Sequence, residues 1–509
     1  MRTLKVGTPR IWPTFAALAL LFGAPMCPSA HRPDPVLEPY QVRVAYVIPS
    51  DRKPQADYQR KAAVLLGRIQ TFYADQMEAN GFGRMTFNVE SNSDGLPDSD
   101  GLPDIHLINS PLTAAVFADT GHARYVTGKY WEHAFEAVKG AGFDPHRRGE
   151  IWLCFVEAQD QLADGSIHND STQGAGSFQN GFALCSGLEL AVCGDPELIH
   201  DHRKYDGRVI PAFGPHKLVS HVSFPAYQGE DVSSLAADYI SATAHELGHC
   251  FLLQHCYLND ATTCGNLMGN GFRGWRGYFM PHKFPNEDTR LARPSALILR
   301  LNPFLRKSSD LVESGSAPRV EITTEPGRMK LDQHGLTIAF SASEPGGPGI
   351  ALATLENGQG RDGVGIVAWQ EFSGNPKEVK STISTNMIEA GRDDSWRLTL
   401  YDAAGNVSSQ SINLKAPETG IAPSPFISVA HSRVKTGTKV SFKGSVRRPW
   451  KFIYKWSFGD GVTAEGSSVT HAFSKAGLFK VNLTVIDPGG RSGEIQQYIS
   501  VSDVDITDK

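Results

Sequence analysis

The stretch Ala244–His255 constrains this chain more than any other, because it reads as a metal-binding helix followed by a turn. His245 and His249 are four residues apart, so a helix places both imidazoles on one face, one turn apart. Both can then reach one metal ion at about 2.0–2.1 Å. Glu246 points sideways from that face, where it can take a proton from a water molecule rather than ligate the metal. The sequence therefore predicts a zinc-binding helix.

A third ligand is needed, since a catalytic zinc site uses three protein ligands and keeps one position open. His255 is the first candidate. On a continued helix it would lie about 9 Å further along the axis than His249, at roughly 1.5 Å per residue. The chain must therefore turn back after about residue 251 if His255 is to share the ion. Asp260 and Glu287 remain open as alternative third ligands. Two further histidines are interpreted as surface or satisfied polar residues: His221 and His282.

The complete motif resembles that of the metzincin clan of zinc metallopeptidases, which is HExxHxxGxxH followed by a methionine-containing turn. The matching residues are His245, Glu246, His249 and His255, and then Asn266-Leu267-Met268-Gly269. The resemblance implies a Zn²⁺ ion held by the three histidines, Glu246 as general base in peptide-bond hydrolysis, and Met268 as an apolar floor beneath the metal. It also implies that an extended peptide substrate adds along an edge strand within residues 174–185. Tyr278 is interpreted as a core or rim residue rather than as a helper of the oxyanion.

One position departs from the metzincin pattern. The glycine that ends the helix in that clan is Leu252 here. Glycine takes positive φ freely, whereas a leucine in the left-handed region is strained by roughly 1–2 kcal/mol. Either the turn is built differently or His255 is not the ligand.

The N-terminus has the layout of a secretory signal over residues 1–30, with basic residues, an apolar run and a small-residue end at Ala30. We therefore expect a secreted or extracellular protein, with the periplasm or the cell surface as alternatives. Six cysteines follow the signal, an even number that favours disulfides in an oxidising compartment. Six cysteines allow fifteen pairings, and the sequence does not fix which one forms. Cys256–Cys264 and Cys185–Cys193 are the pairs that we favour, and buried free thiols are the alternative.

The remaining chain divides into three regions. Strand and helix patterns alternate over residues 40–306, which predicts an α/β catalytic domain. Residues 318–415 contain short strand-like runs, and their end resembles bacterial immunoglobulin-like modules. Residues 424–503 resemble a polycystic-kidney-disease (PKD) β-sandwich, through Trp456-Ser457-Phe458-Gly459-Asp460-Gly461 and the apolar alternation Val481, Leu483, Val485. The fold class that we expect is therefore multidomain: a metzincin-like α/β domain followed by two all-β sandwich modules.

Composition and the remaining motifs limit the partners. A net charge of −5 with interspersed signs gives no reason to expect a nucleic acid, and no stretch after the signal is long and apolar enough for a membrane span. The duplicated acidic loop Asp94–Asp104 has the oxygens and glycines of a Ca²⁺ loop but lacks a bidentate glutamate at its twelfth position, so a solvated turn is equally consistent with it. The β modules are expected to act as spacers or to contact carbohydrate or a surface protein.

The sequence thus predicts a secreted zinc endopeptidase that acts on a protein or peptide substrate. Two alternatives stay open. One is a non-catalytic surface binding protein with a structural zinc site. The other is a zinc hydrolase acting on a non-peptide cell-wall substrate. Glu246 favours catalysis, since a structural site has no use for a base.

Overall fold

The computed structural model describes most of the chain after residue 39. The described residues are 40–90, 103–118, 128–161, 167–168, 172–192, 232–258, 264–279, 287–306, 316–324, 330–332, 335–360, 363–385, 393–415, 423, 425–429, 433–446, 451–488 and 490–503. The predicted signal over residues 1–30 and most of the predicted calcium loop lie outside them, as do His221, Asp260 and His282.

The first region is a three-layer α/β structure around a five-stranded sheet of order β2-β1-β3-β7-β6. The strands of this region are β1 (Gln41–Ile48), β2 (Ile105–Asn109), β3 (Glu150–Val156), β4 (Asp160–Gln161), β5 (Ile167–His168), β6 (Gln173–Gly176), β7 (Asn180–Ser186), β8 (Cys264–Asn266) and β9 (Asp288–Arg290). Within the five-stranded sheet, β1, β2, β3 and β7 are parallel and β6 runs antiparallel to β7. The central strand β3 is buried along its whole length, as expected for a parallel strand covered on both faces.

Helices cover both faces of this sheet. They are α1 (Tyr58–Ala79), α2 (Ala114–Ala118), α3 (Gly128–Gly140), α4 (Gly187–Val192), α5 (Val232–Cys250), α6 (Trp275–Phe279) and α7 (Arg293–Leu301). One core cluster joins the sheet to α1, α5 and α7, and a second joins its other face to α2 and α3. Helix α1 places Leu65, Ile69 and Phe72 in the first cluster, at the helical spacing of its apolar residues. None of the helices in the described part of the chain is long and apolar enough to cross a membrane.

Two β modules follow, and the protein is therefore multidomain. The first comprises β10 (Arg319–Ile322), β11 (Lys330–Asp332), β12 (Gly335–Ser343), β13 (Ile350–Gly360), β14 (Gly363–Glu371), β15 (Glu378–Thr385), β16 (Asp393–Asp402) and β17 (Val407–Lys415). One of its sheets has the order β14-β13-β16-β17, and the other contains β10, β12, β11 and β15. A core rich in leucine and isoleucine lies between them.

The second module contains β18 (Phe426–Val429), β19 (Arg433–Lys435), β20 (Lys439–Ser445), β21 (Ile453–Ser457), β22 (Thr463–Glu465), β23 (Ser468–Ala472), β24 (Gly477–Ile486) and β25 (Ser492–Ser502). Its sheets have the orders β18-β20-β23 and β19-β25-β24-β21-β22. Trp456, Val481, Leu483 and Val485 are buried in its core, as their alternation predicts.

The structure corrects the predicted disulfides. Cys154, Cys185, Cys250 and Cys256 are buried thiols in this structure, and the side chains of Cys193 and Cys264 lie outside the described residues. Cys185 faces α5 from β7, with its Sγ 3.8 Å from the Thr243 hydroxyl. Burial raises the pKa of the Cys185 thiol well above its ordinary value. It is packed as a small apolar residue, a common role of buried cysteine.

A second correction concerns the predicted edge strand at residues 174–185. This segment is the hairpin of β6 and β7, and only β6 lies at the edge of the sheet. Residues 85–90 pair with β1 only through a single bridge at Val89.

Candidate metal centre

Helix α5 carries His245, Glu246 and His249 in its last turns, and its position is set by packing from three sides. Ile240, Ala244, Leu247 and Phe251 are buried in the core. From α1, the Tyr73 hydroxyl donates a hydrogen bond to the Ala244 carbonyl at 2.8 Å. The sequence pattern and the packing therefore agree on which face of the helix is buried.

Edge strand β6 crosses the other side of this helix at very short range. A Cβ on Gly174 would collide with the backbone of Glu246, and a Cβ on Gly176 would collide with that of Cys250. The strand can approach only because both residues are glycine. This packing sets β6 directly beside the two histidines.

The helix ends where the spacing argument requires it. Leu252 has φ 67°, in the left-handed region. Its N–H donates to the His249 carbonyl at 3.0 Å, and the Leu253 N–H donates to the Gly248 carbonyl at 2.9 Å. This is the hydrogen-bond pattern of a Schellman C-cap. The leucine thus takes the conformation for which the metzincin pattern uses glycine, at a cost of roughly 1–2 kcal/mol.

This turn brings the third histidine back to the first two. The ligand atoms of His245, His249 and His255 all lie within 4.8 Å of one another. The ring centroids of His245 and His255 are 5.3 Å apart, and those of His249 and His255 are 4.7 Å apart. Glu287, the alternative ligand that the structure describes, is not a member of this cluster.

Hydrogen bonds to the backbone orient two of the three rings. His245 Nδ1 lies 2.7 Å from the Leu267 carbonyl oxygen, and His249 Nδ1 lies 2.9 Å from the Leu253 carbonyl oxygen. A carbonyl can only accept, so each Nδ1 carries the proton and each Nε2 is left with its lone pair. Burial, and then the neighbouring His255, lower the pKa of His249 to about 3. The His249 ring is therefore a neutral imidazole, the form that binds zinc.

The segment at residues 266–269 packs against helix α5 and contacts His245. Met268 is fully buried, and a Cβ on Gly248 would collide with its sulfur. The Met268 carbonyl accepts a hydrogen bond from the Cys256 N–H at 2.8 Å, which ties this turn to the segment that carries His255. Sequence analysis did not anticipate the role of its neighbour Leu267, whose backbone carbonyl orients His245.

Glu246 lies between the histidines and β6. Burial raises the pKa of its carboxyl well above the ordinary value, and a hydrogen bond from the Gly174 backbone N–H opposes that rise. Tyr278 lies apart from this arrangement, because its hydroxyl donates to Asp75 at 3.0 Å and its ring packs on Phe72.

A second group with metal-ligand chemistry lies at the start of β2. It consists of Glu90, Asp104 and His106. The Arg43 guanidinium occupies its centre, 2.8 Å from Glu90 and 3.2 Å from His106 Nε2. A cation is thus already present, and the group is a buried ion network. Asp104, the last residue of the predicted calcium loop, is a member of this group.

A family model described as PKD domain matches residues 422–501. These residues are a PKD domain. Over 16% of its length the chain is also similar to the PKD1 domain of the Vibrio cholerae metalloprotease PrtV, with 31% identity, 99% of that domain covered and a TM-score of 0.15. The residues that the family model matches are those of the second β module.

The other similarities are more distant or cover only part of a relative. Collagenase ColQ1 of Bacillus cereus (strain Q1) is 24% identical over 146 residues, which are 28% of this chain and 14% of the collagenase. The match thus spans about a seventh of that relative's length. Among solved structures, wild-type OgpA from Akkermansia muciniphila aligns with 76% of this chain and 96% of its own at 16% identity and a TM-score of 0.48.

Proposed function

We propose that this protein is a secreted zinc-dependent endopeptidase with a metzincin-like catalytic domain, in which Glu246 is the general base. The observation that carries the proposal is the convergence of three imidazoles within 4.8 Å, beside a buried carboxyl. The partial similarity to a collagenase is consistent with peptidase activity.

The donor set fits zinc rather than a hard cation. His245, His249 and His255 would hold the ion through ring nitrogens, which suit Zn²⁺, whereas Ca²⁺ and Mg²⁺ prefer oxygen. Three ligands leave a fourth position open, as catalytic zinc sites require. When bound, zinc supplies Lewis acidity that activates water and polarises the scissile carbonyl.

Glu246 performs the proton transfers. It accepts the proton of the attacking water and delivers it to the nitrogen of the leaving amine, so that one proton passes through one carboxyl group. Burial raises the pKa of this carboxyl well above its ordinary value, which makes its carboxylate a stronger base than an exposed one. The Gly174 N–H holds the side chain in place through the hydrogen bond that it donates.

Strand β6 is the proposed guide for the substrate. It is the edge strand of the sheet and crosses α5 at Glu246, so an extended peptide paired with it would run past the histidines. Pairing with an exposed strand edge recognises backbone and leaves side-chain preference to surrounding loops. The PKD domain would then serve as a spacer or as a contact to carbohydrate or a surface protein.

Zinc content and proteolysis, measured side by side, test this proposal. We expect Glu246→Gln to keep one zinc per chain and to lose at least about 10³-fold in casein hydrolysis, because only the base is removed. We expect His255→Ala to lose both. His133→Ala, which changes a histidine outside the cluster on α3, is the matched control and should change neither.

The outcomes separate the alternatives. Zinc bound by the wild type without hydrolysis of casein or of any peptide in a library would indicate a structural site. Hydrolysis of cell-wall fragments but not of peptides would indicate a zinc hydrolase that acts on a non-peptide cell-wall substrate. Zinc content unchanged in His255→Ala would remove the metzincin assignment.

A further inference from the structure

The first β module makes a backbone contact with the segment that carries His255. The Ile366 N–H donates a hydrogen bond to the His255 carbonyl at 2.7 Å. Gly365 and His255 form a parallel β-bridge. Strand β14 is the outer strand of its sheet, so it reaches the His255 segment through an edge that β13 does not use.

Backbone and side-chain atoms of the His255 segment lie close to Gly365 at the same contact. A Cβ on Gly365 would lie 3.4 Å from the His255 carbonyl oxygen and 3.7 Å from Tyr257 Cδ2. The Tyr257 ring in turn stacks on the His255 imidazole, with centroids 5.9 Å apart and planes at 29°. A Cβ at Gly365 would be in van der Waals contact, so a larger side chain that extends toward this segment would press on the backbone of His255 and on the ring that flanks its imidazole.

A charged pair reinforces the contact one residue earlier in the chain. Arg397 of β16 binds the buried carboxylate of Glu356 at 2.6 Å. The same guanidinium donates to the Gln254 side-chain oxygen at 3.4 Å. The Thr354 hydroxyl also donates to Glu356, at 2.9 Å, which satisfies the other carboxylate oxygen. A fixed guanidinium thus faces the residue that precedes His255.

The apolar core is continuous across this junction. Four residues of the module belong to the cluster that also contains Leu247 and Phe251 of the α5 segment: Ala351, Leu352, Ile366 and Tyr401. Residues that share one close-packed core cannot move independently without strain. The module therefore has the contacts needed to transmit its position to the His255 segment.

His255 differs from the other two histidines in its position, because it lies beyond the end of α5. His245 and His249 are fixed by α5 and by their bonds to backbone carbonyls. His255 follows a turn that places Leu252 in the left-handed region, so its position depends on what holds the segment after the turn. The Met268 turn holds that segment on one side and the first β module holds it on the other.

We propose that the edge of the first β module at Gly365 and Ile366, supported by Arg397, is a positioning element for His255, which makes this module a part of the metal centre. The proposal rests on the proposed function, because it assumes that His255 is a zinc ligand. A module that only joins domains would leave metal affinity unchanged when the contact is loosened.

The test is a wedge variant in the full chain, Gly365→Leu, with Gly346→Leu as its matched control. The three nearest atoms around a Cβ at Gly365 all lie across the junction, whereas a Cβ at Gly346 in the same module meets nothing within 4 Å. Zinc affinity is measured by competition with a chromogenic chelator, and coordination geometry from the visible spectrum of the Co²⁺-substituted protein. We expect Gly365→Leu to bind zinc about 10- to 100-fold more weakly and to change the Co²⁺ spectrum, as loss of support around a ligand does.

A second variant decides the question if the wedge prevents folding. Gln254→Ala removes only the contact to Arg397 from a half-buried side chain, and we expect about a 3-fold loss of zinc affinity. Wild-type affinity and an unchanged Co²⁺ spectrum in both folded variants would overturn the proposal. Absence of zinc binding in the wild type would instead refute the proposed function, so the two failures are distinguishable.

Discussion

The two β modules bury their apolar surface in different places. Four residues of the first module pack into the core of the α/β region, in addition to the module's own core. The core cluster of the PKD domain, by contrast, consists of residues between 427 and 501. Two β-sandwiches of similar size therefore pack differently: the first shares a core with the region that carries the candidate site, and the PKD domain has a separate core.

Polar contacts also join the first module to the α/β region. Glu371 of β14 forms ion pairs with Arg293 and Arg300 of α7. The Ala403 carbonyl accepts a hydrogen bond from Arg306 at 3.1 Å. Such pairs contribute little each when exposed, so the shared apolar core contributes more to holding the junction together. Matched substitutions in the two modules can test whether this difference in architecture is a difference in function.

The largest effects are expected from one buried leucine of each module. Leu352 of the first module packs into the core of the α/β region, and Leu483 lies in the core of the PKD domain; both are fully buried. Replacing either by alanine should lower the free energy of unfolding by about 2–5 kcal/mol. We expect Leu352→Ala to lower the midpoint of thermal zinc release as well, and Leu483→Ala to leave it unchanged. Calorimetry with a zinc-release assay measures both, and equal zinc release in the two variants would contradict the comparison.

Buried carboxylates paired with arginine offer a second matched test. Glu356 pairs with Arg397 in the first module, and Asp487 pairs with Arg491 in the PKD domain at 2.8 Å. Replacing either arginine by methionine leaves a buried charge without its partner, at a cost of about 2–3 kcal/mol because both arginines are partly exposed. Urea unfolding should show similar losses, but only Arg397→Met should weaken zinc binding. Weaker binding in Arg491→Met would show that the PKD domain also supports the site.

A buried carboxyl pair gives the first module a distinctive pH dependence. Burial, and then the neighbouring Asp402, raise the pKa of Glu344 to about 7, against an opposing effect of Lys377. The pKa of Glu344 in the folded state lies above its unfolded value of about 4.3. Its contribution to folding stability is therefore fully present below about pH 4 and is lost as the pH rises to about 7. We expect the first module to lose stability over that range, and Glu344→Gln to abolish the slope. A slope unchanged in the variant would exclude the pair as its source.

The PKD domain carries a pair with the opposite sign. Although burial raises the pKa of Asp460, hydrogen bonds from the Val462 N–H and from His471 lower it below the ordinary value. Its contribution is therefore present above the unfolded pKa of about 3.9 and is lost as the pH falls. Asp460→Asn should reduce the acid sensitivity of the PKD transition in calorimetry without changing the pH profile of the first module.

The smallest effects are expected at two left-handed positions. Leu252→Gly relieves a strain of roughly 1–2 kcal/mol. It also removes part of a packed side chain and raises the entropy of the unfolded chain, which lowers the stability by about 0.4–1 kcal/mol. The net change in the free energy of unfolding should therefore be within about 1 kcal/mol. Gly461→Ala in the PKD domain, at φ 90° with open space around its Cβ, should lose about 1 kcal/mol. Denaturant titration measures both changes. A loss of zinc affinity beyond about 3-fold in Leu252→Gly would show that this side chain also shapes the site.

Local patterns predicted much of the architecture. The alternating strand and helix patterns over residues 40–306 predicted an α/β region, and β1, α1 and β3 are elements of it. Spacing alone required a turn after about residue 251, and the left-handed residue is Leu252. These features depend on neighbouring residues, so the sequence carries them directly. The predicted disulfides were wrong because a cysteine count says nothing about where a side chain points, and Cys185 points into the core.

The sequence by itself determined the helix with two histidines on one face, the glutamate between them and the identity of the PKD domain, since each is a short-range pattern. Only the tertiary structure decided that Leu252 accepts a strained conformation, that Gly174 lets the edge strand touch the helix, and that the first β module holds the His255 segment. The physical reason is that these depend on contacts between residues far apart in the chain. Packing against such partners offsets local strain and sets positions that no local pattern encodes.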